Sequence, residues 1–216
     1  MKIWSVKSML LLSVGLAVCA PHLHAQSAEP ESPPAKAPFL GLITHLEPTF
    51  AMQDKIHSME MLAKNPHIAG VTLKIQWQQL HPEPERVDWK SLERLIEIAA
   101  SAGKWVNIGI LPGGASPTWI YDQGVQKIGP TKVGARIVTA PIPWDPMFIE
   151  LYSRDIRTLA ERYQDDPRVF SIEVLGHNYN FVGEEMHAPS IKDMAPFDWT
   201  RDKALANWKL WIDTYA

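Results

Sequence analysis

The feature that most constrains this chain is an alternation of short apolar runs with longer amphipathic runs, repeated from Phe39 to Ala216. The short runs have the length and composition of β-strands. The longer runs carry apolar residues at a spacing of three and four, which is typical of a helix that buries one face. Strands that alternate with helices in this way predict parallel strands joined by helical crossovers. The sequence therefore predicts an α/β fold made of about four β/α units.

The boundaries of these units follow from residues that begin and end helices. Asp88 and the pair Asp145-Pro146 are typical of helix starts, and Asp198 or Thr200 is expected to cap the last helix. The predicted strands are Phe39–Thr44, Ile68–Gln76, Trp105–Ile110 and Val169–Gly176. The predicted helices cover about Thr49–Lys64, Asp88–Gly103, Asp145–Asp166 and the segment from Thr200 to the end of the chain. A long loop is predicted between Leu111 and Trp144.

Four such units are half of a (β/α) barrel of the TIM type, which needs eight units and roughly 250 residues. We therefore expect a partial barrel. The last helix carries an apolar stripe that includes Leu205, Trp211 and Tyr215, and either this stripe packs on the half-barrel or the natural protein continues. A half-barrel has two open strand edges, and such edges favour self-association.

The N-terminal region predicts export. Lys2 and Lys7 precede an apolar stretch that is too short to span a bilayer comfortably, and Ala25 offers a small residue for cleavage. We predict a signal peptide over residues 1–25, a proline-rich linker over 26–38 and one barrel-type catalytic domain over 39–216. An uncleaved anchor is the alternative for the first segment. The mature chain is then secreted or periplasmic, without a membrane span.

Composition excludes several classes of function. The only cysteine, Cys19, lies in the predicted signal, so the mature chain has no disulfide, no cysteine nucleophile and no thiolate metal site. The formal net charge is −3, and loss of Lys2 and Lys7 makes it more negative, so nucleic acid is not an expected partner. The chain has nine tryptophans, which fits either carbohydrate contact or core filling.

The richest concentration of reactive side chains follows the fourth predicted strand. Within Val169–Pro189 lie His177, Asn178, Glu184 and Glu185. Polar residues delivered at the C-terminal end of a strand between two helices are typical of a barrel active site. Two histidines and a glutamate in this loop match no specific zinc spacing, so no metal and no other cofactor are predicted.

Other strand exits add candidate carbohydrate contacts. Trp77, Trp119 and Trp144 follow the second and third strands, where flat rings could stack on sugars, and Asn107 could bond to a hydroxyl. Packing in the core is the alternative for each tryptophan. Glu173 lies within the fourth strand, and we expect it to form a buried ion pair with Lys74 rather than to act in catalysis, because an unpaired buried charge is costly.

Several motifs together resemble clan A glycoside hydrolases, particularly their β-galactosidase-like and cellulase-like members. The motifs are Gly70–Trp77, Leu80–Pro84, Val87–Trp89, Lys104–Ile110 and Pro117–Trp119. The resemblance covers roughly Phe39 to Ala216 and implies a barrel that cleaves glycosidic bonds with two carboxyl groups.

In that clan the fourth strand ends in Asn-Glu, whereas here Asn178 is followed by Tyr179. The resemblance implies Glu185 as the acid/base, with Glu184 beside it, and Asn178 in contact with the sugar. It also implies a nucleophile on a seventh strand, which four units do not include. We therefore expect a secreted glycoside hydrolase acting on O-glycosidic bonds and truncated before its nucleophile. The alternative is a non-catalytic exported carbohydrate-binding half-barrel.

Overall fold

The computed structural model describes residues 41–46, 51–133, 136–176 and 194–216. Its strands are β1 (Leu42–Leu46), β2 (Ile68–Gln76), β3 (Trp105–Leu111), β4 (Lys127–Val133), β5 (Arg136–Pro141) and β6 (Val169–Ile172). Its helices are α1 (Met52–Ala63), α2 (Trp77–Leu80), α3 (Trp89–Ser101), α4 (Trp119–Asp122), α5 (Pro146–Tyr163) and α6 (Arg201–Tyr215). The predicted signal peptide, the linker and Phe39 lie outside the described residues.

The main sheet has four parallel strands in the order β1-β2-β3-β6, and the longer helices alternate with them along the chain. This arrangement confirms an α/β fold with about four β/α units. The odd-numbered side chains Val71, Leu73 and Ile75 of β2 are fully buried in the main core. They share this core with the apolar stripe of α3, which consists of Leu92, Leu95, Ile96 and Ala99.

Helix starts follow from side-chain caps, as the sequence indicates. The carboxylate of Asp88 accepts a hydrogen bond from the backbone N–H of Ser91, at 3.1 Å. Asp145 accepts hydrogen bonds from the N–H groups of Met147 and Phe148 at the start of α5. Pro146, at the first helical position, has no N–H that would need a partner. Of the two caps considered for α6, it is Thr200 that accepts from the backbone of Lys203.

The prediction of a long loop after β3 is wrong for much of this segment. It contains a 3₁₀ turn at Gly113–Ala115, the short helix α4, and the antiparallel hairpin of β4 and β5. The hairpin has its own small core, in which Ile128, Val138 and Met194 are buried. Asp145 fastens this insertion to α5, because its other carboxylate oxygen accepts from the N–H of Gln126 at 3.1 Å.

The predicted apolar stripe of α6 is only partly correct. Trp211 is fully buried, whereas Leu205 and Ile212 are more than half exposed. The indole of Trp211 donates to Asn207, whose amide in turn donates to the carbonyl of Pro143, so a polar pair anchors this helix where an apolar stripe was expected. None of the described helices is both long and apolar enough to span a membrane.

Candidate functional site

The C-terminal ends of β2, β3 and β6 lie along one edge of the sheet, because these strands are parallel and paired in register. β2 runs directly into α2, and β3 into the 3₁₀ turn and α4. Side chains from separate parts of the sequence are therefore brought together at this edge. In β/α folds this edge carries the ligand site.

The sheet face opposite the helices carries most of the polar side chains of the strands, and we call it the inner face. It includes Thr72, Lys74 and Gln76 from β2, Asn107 and Gly109 from β3, Ser171 from β6, and Glu173 directly after β6, together with the apolar Trp105 and Leu111 of β3. Thr72, Asn107 and Ser171 form one row across the sheet, and the hydroxyl of Ser171 donates to the side-chain oxygen of Asn107. Barrel interiors are usually filled by branched apolar residues. A polar inner face therefore favours a ligand or an ordered polar network over simple packing.

The expected ion pair between Lys74 and Glu173 is confirmed. The ammonium nitrogen lies 3.8 Å from a carboxylate oxygen, and both side chains are largely buried. The pair crosses β3 at Gly109, where an added Cβ would lie 2.8 Å from the same carboxylate oxygen. Glycine at this position leaves the room that the ion pair occupies.

Trp77 and Trp119 do not offer a ring to a ligand, which corrects their prediction as sugar platforms. Trp77 is fully buried among Trp119, Phe148 and Tyr152, with ring centroids 5.1–6.2 Å apart. Trp119 is 8% exposed, and its indole N–H donates to the carbonyl of His81 at 2.9 Å. Both rings are packing residues, because the short helices α2 and α4 turn them back into the core.

Trp144 lies differently, since its ring is only half-buried. Its indole N–H donates to the carbonyl of Phe197 at 3.1 Å, and the ammonium of Lys203 lies 5.9 Å from the ring centroid. Phe197 and Trp199 pack against the same small core as Trp144. Trp199 and Lys203 join this group although the sequence pattern did not predict either residue there. Phe197 and Trp199 lie two residues apart in a polar segment before α6, and this aromatic pair is the sequence feature that could have indicated the group.

The loop richest in reactive groups, with His177, Asn178, Glu184 and Glu185, lies outside the described residues. Their roles remain predictions. Within the described strands no residue carries a carboxylate, and Glu173 follows β6 immediately. Among the described residues no group of three or more histidine, aspartate or glutamate side chains could hold a metal ion.

A second ionic cluster lies between α3 and α5. Glu93 accepts hydrogen bonds from the hydroxyl of Tyr163 and from the guanidinium groups of Arg162 and Arg168, each at 3.0 Å. Partial burial favours the neutral acid, but these hydrogen bonds outweigh it and lower the pKa of Glu93. This cluster joins two helices and has the character of a structural network.

The fold is a partial (β/α) barrel of the TIM type. Its candidate site lies at the C-terminal ends of the strands, next to the inner face. Comparison with solved structures agrees. A β-galactosidase from the psychrophilic Marinomonas ef1 matches with a TM-score of 0.50 at 19% identity, over 65% of this chain and 22% of that chain. A GH5_18 protein from Streptomyces cattleya in complex with GlcNAc matches with a TM-score of 0.51 at 17% identity, over 84% of this chain and 42% of that chain. The chain thus spans less than half the length of these proteins.

The family is established by a match to the family model Glyco_hydro_42, described as "Beta-galactosidase", over residues 47–201. The chain belongs to this glycoside hydrolase family. The resemblance to clan A glycoside hydrolases is therefore confirmed, as is the predicted partial barrel.

Proposed function

We propose that this protein is a secreted glycoside hydrolase that cleaves O-glycosidic bonds of an oligo- or polysaccharide by two-carboxylate chemistry. The observation that carries the proposal is the family match over residues 47–201. The polar inner face below the strand exits supports it, because buried polar groups of this kind suit a hydroxyl-rich ligand. The description of the family makes β-galactosides the first substrate class to test.

The reaction requires two carboxyl groups on opposite sides of the scissile bond, about 5–5.5 Å apart for retention or about 6.5–9.5 Å apart for inversion. We propose Glu185 as the acid/base, with Glu184 as the neighbouring alternative. The buried ion pair with Lys74 gives Glu173 a structural role rather than a catalytic one. The second carboxylate has to come from a further strand, so we propose that catalysis needs a barrel with more than these four units.

Sugar contacts are proposed for Trp144, Asn107, His177 and Asn178. Trp144 is only half-buried, and an indole face can stack on the apolar face of a sugar. Asn107 lies on the inner face, and its amide group could bond to a ligand hydroxyl while its oxygen accepts from Ser171. His177 and Asn178 follow Gly176 in the loop after β6 and could donate to sugar hydroxyls.

Export and assembly complete the proposal. The segment 1–25 has the charge and apolar pattern of a signal peptide, so we propose a secreted or periplasmic location. In the main sheet β1 and β6 are the two outer strands, each paired on one side within the described part of the chain. We propose that these edges drive self-association when nothing else covers them.

The alternative is a non-catalytic carbohydrate-binding protein. This alternative needs only binding groups, such as the half-buried Trp144 and the inner-face Asn107. Calorimetric titration with galactosides, together with hydrolysis of a chromogenic β-galactoside, separates the two. Turnover by a complete barrel that contains this chain supports the hydrolase, saturable binding without turnover supports the alternative, and a folded protein that does neither contradicts both readings for galactosides.

A further inference from the structure

His81 lies in the segment that joins α2 to α3, with both ring nitrogens in contact with oxygen. Its Nδ1 is 2.5 Å from a carboxylate oxygen of Asp155, on α5. Its Nε2 is 3.1 Å from the backbone carbonyl of Pro84. The side chain is 3% exposed, so water cannot replace either partner without movement.

Neither partner can donate a hydrogen bond. A carbonyl oxygen only accepts, and so does an ionised carboxylate. Both ring nitrogens must then carry hydrogen, which is the cationic form of histidine. The pKa agrees: burial opposes the charge, but the hydrogen bond and charge of Asp155, with the Pro84 carbonyl, outweigh burial and raise the pKa of His81.

Two tryptophans form hydrogen bonds with the two members of this pair. Its backbone carbonyl accepts from the indole of Trp119, on α4, and the two rings lie 4.8 Å apart. The carboxylate oxygen that meets Nδ1 also accepts from the indole of Trp77, at 2.7 Å. Asp155 of α5 therefore meets both His81 and the indole of Trp77 in the segment after β2, and Trp119 on α4 is linked to this carboxylate through His81.

We propose that His81, as an imidazolium, is a positioning residue that holds its own segment against Asp155 of α5 and orients the indole of Trp119, and that its deprotonation loosens these contacts. Loss of one ring proton leaves a nitrogen lone pair facing either the carboxylate or the carbonyl. That repulsion moves the histidine, and its carbonyl carries the indole of Trp119 with it. The inference goes beyond the proposed function and does not depend on it.

The charged groups that face His81 come from two directions. α5 contributes Asp155 and Arg154, and the guanidinium of Arg154 lies 3.5 Å from the other carboxylate oxygen of Asp155. The segment that carries His81 contributes Glu85, which lines the same cleft of about 280 Å³. Among the described residues, α3 and α4 contribute the uncharged rings of Trp89 and Trp119 around His81, and Trp77 of α2 meets the same carboxylate. This cleft gives protons a route to the ring.

Long-range ¹⁵N NMR of the histidine rings between pH 5 and 9 tests the proposal on the full chain. We expect both nitrogens of His81 to stay protonated at pH 6.5 and to titrate at higher pH. The indole N–H resonance of Trp119 should shift with the same midpoint. The exposed His57 and His67 provide reference signals in the same spectra. A neutral ring at pH 6.5, or a Trp119 signal that does not follow the titration, would overturn the proposal.

Asp155→Asn provides the decisive variant. An amide can donate to Nδ1, so we expect His81 to become neutral and its proton affinity to fall by about tenfold or more. Asp166→Asn is the matched control, because it removes a similarly buried carboxylate that pairs with Arg168. An unchanged His81 titration in Asp155→Asn, or an equal change in the control, would contradict the assignment. If Asp155→Asn does not fold, the wild-type titration still decides.

Discussion

The ammonium of Lys74 lies 3.8 Å from the carboxylate of Glu173, although the strand β3 separates the two residues in the sheet. Gly109 on that strand leaves the space between them. The pair stands on the inner face, close to the edge where the strands end. Its formation links β2 to the residues directly after β6.

Removal of one partner of this pair should be costly. Lys74→Met leaves the carboxylate of Glu173 buried without its cation, and we expect a loss of about 3 kcal/mol in the free energy of unfolding. The double variant Lys74→Met/Glu173→Leu should recover most of that loss, because no charge is then buried. Urea denaturation measures both. Equal destabilisation by the single and double variants would show that the charges do not interact.

Gly109 is expected to tolerate no side chain. A Cβ at this position would lie 2.8 Å from the Glu173 carboxylate and 2.9 Å from a methyl group of Leu175, so Gly109→Ala should cost about 1–3 kcal/mol. Part of this cost should disappear in the background Glu173→Ser, which removes one of the two clashes. Strict additivity of the two substitutions would contradict this account of the glycine.

Glu93 should make the protein sensitive to acid. Its pKa is lowered below the usual 4.5 in the folded state. Its contribution to stability is therefore fully present above pH 4.5 and is lost as the pH falls through the folded-state pKa. The unfolding free energy of Glu93→Gln, measured by urea denaturation from pH 7 to pH 3, should fall less steeply than that of the wild type.

The control for this titration is Glu97→Gln. Glu97 is more exposed and meets Arg168 at 3.3 Å, whereas Glu93 has three donors. Surface ion pairs contribute little to stability, so the control should follow the wild-type pH profile. A Glu93→Gln profile that cannot be distinguished from the wild type would remove Glu93 from this role.

Trp119 and Trp144 should respond in opposite ways to truncation. Trp119→Ala empties part of the core and should cost about 3–5 kcal/mol of stability. Trp144→Ala should mainly weaken galactoside binding, because the Trp144 ring is only half-buried and packs against the small core of the hairpin. Trp208→Ala, which removes another half-buried indole on α6, is the control. Unchanged affinity in Trp144→Ala would exclude Trp144 as a sugar contact.

The sequence predicted the sheet well because its signals are local. The alternation of Val71, Leu73 and Ile75 with polar neighbours identified both faces of β2, and Asp88 and Asp145 identified two helix starts. Even the pair of Lys74 and Glu173 followed from local alternation, since both residues had to share the polar face. Local pattern and tertiary structure agree at these positions.

The positions of the tryptophans were less predictable, because they depend on partners distant in sequence. Trp77 follows a strand exit, yet the carboxylate of Asp155, 78 residues later, holds its indole in the core. The hairpin of β4 and β5 was missed because its strands contain glycine and proline and lack a clear alternation. His81 was noted only within a motif, and its importance depends on Asp155 of α5.

The measurement that tests the account most directly is hydrolysis of a chromogenic β-galactoside by a complete barrel that contains this chain, and by its variants Glu185→Gln and Glu184→Gln. The account predicts turnover by the wild type, a loss of at least about a hundredfold in Glu185→Gln, and a much smaller loss in Glu184→Gln. Full turnover in Glu185→Gln would contradict its assignment as the acid/base. A folded, complete barrel of this kind that neither binds nor hydrolyses any galactoside would contradict the proposed β-galactoside activity itself.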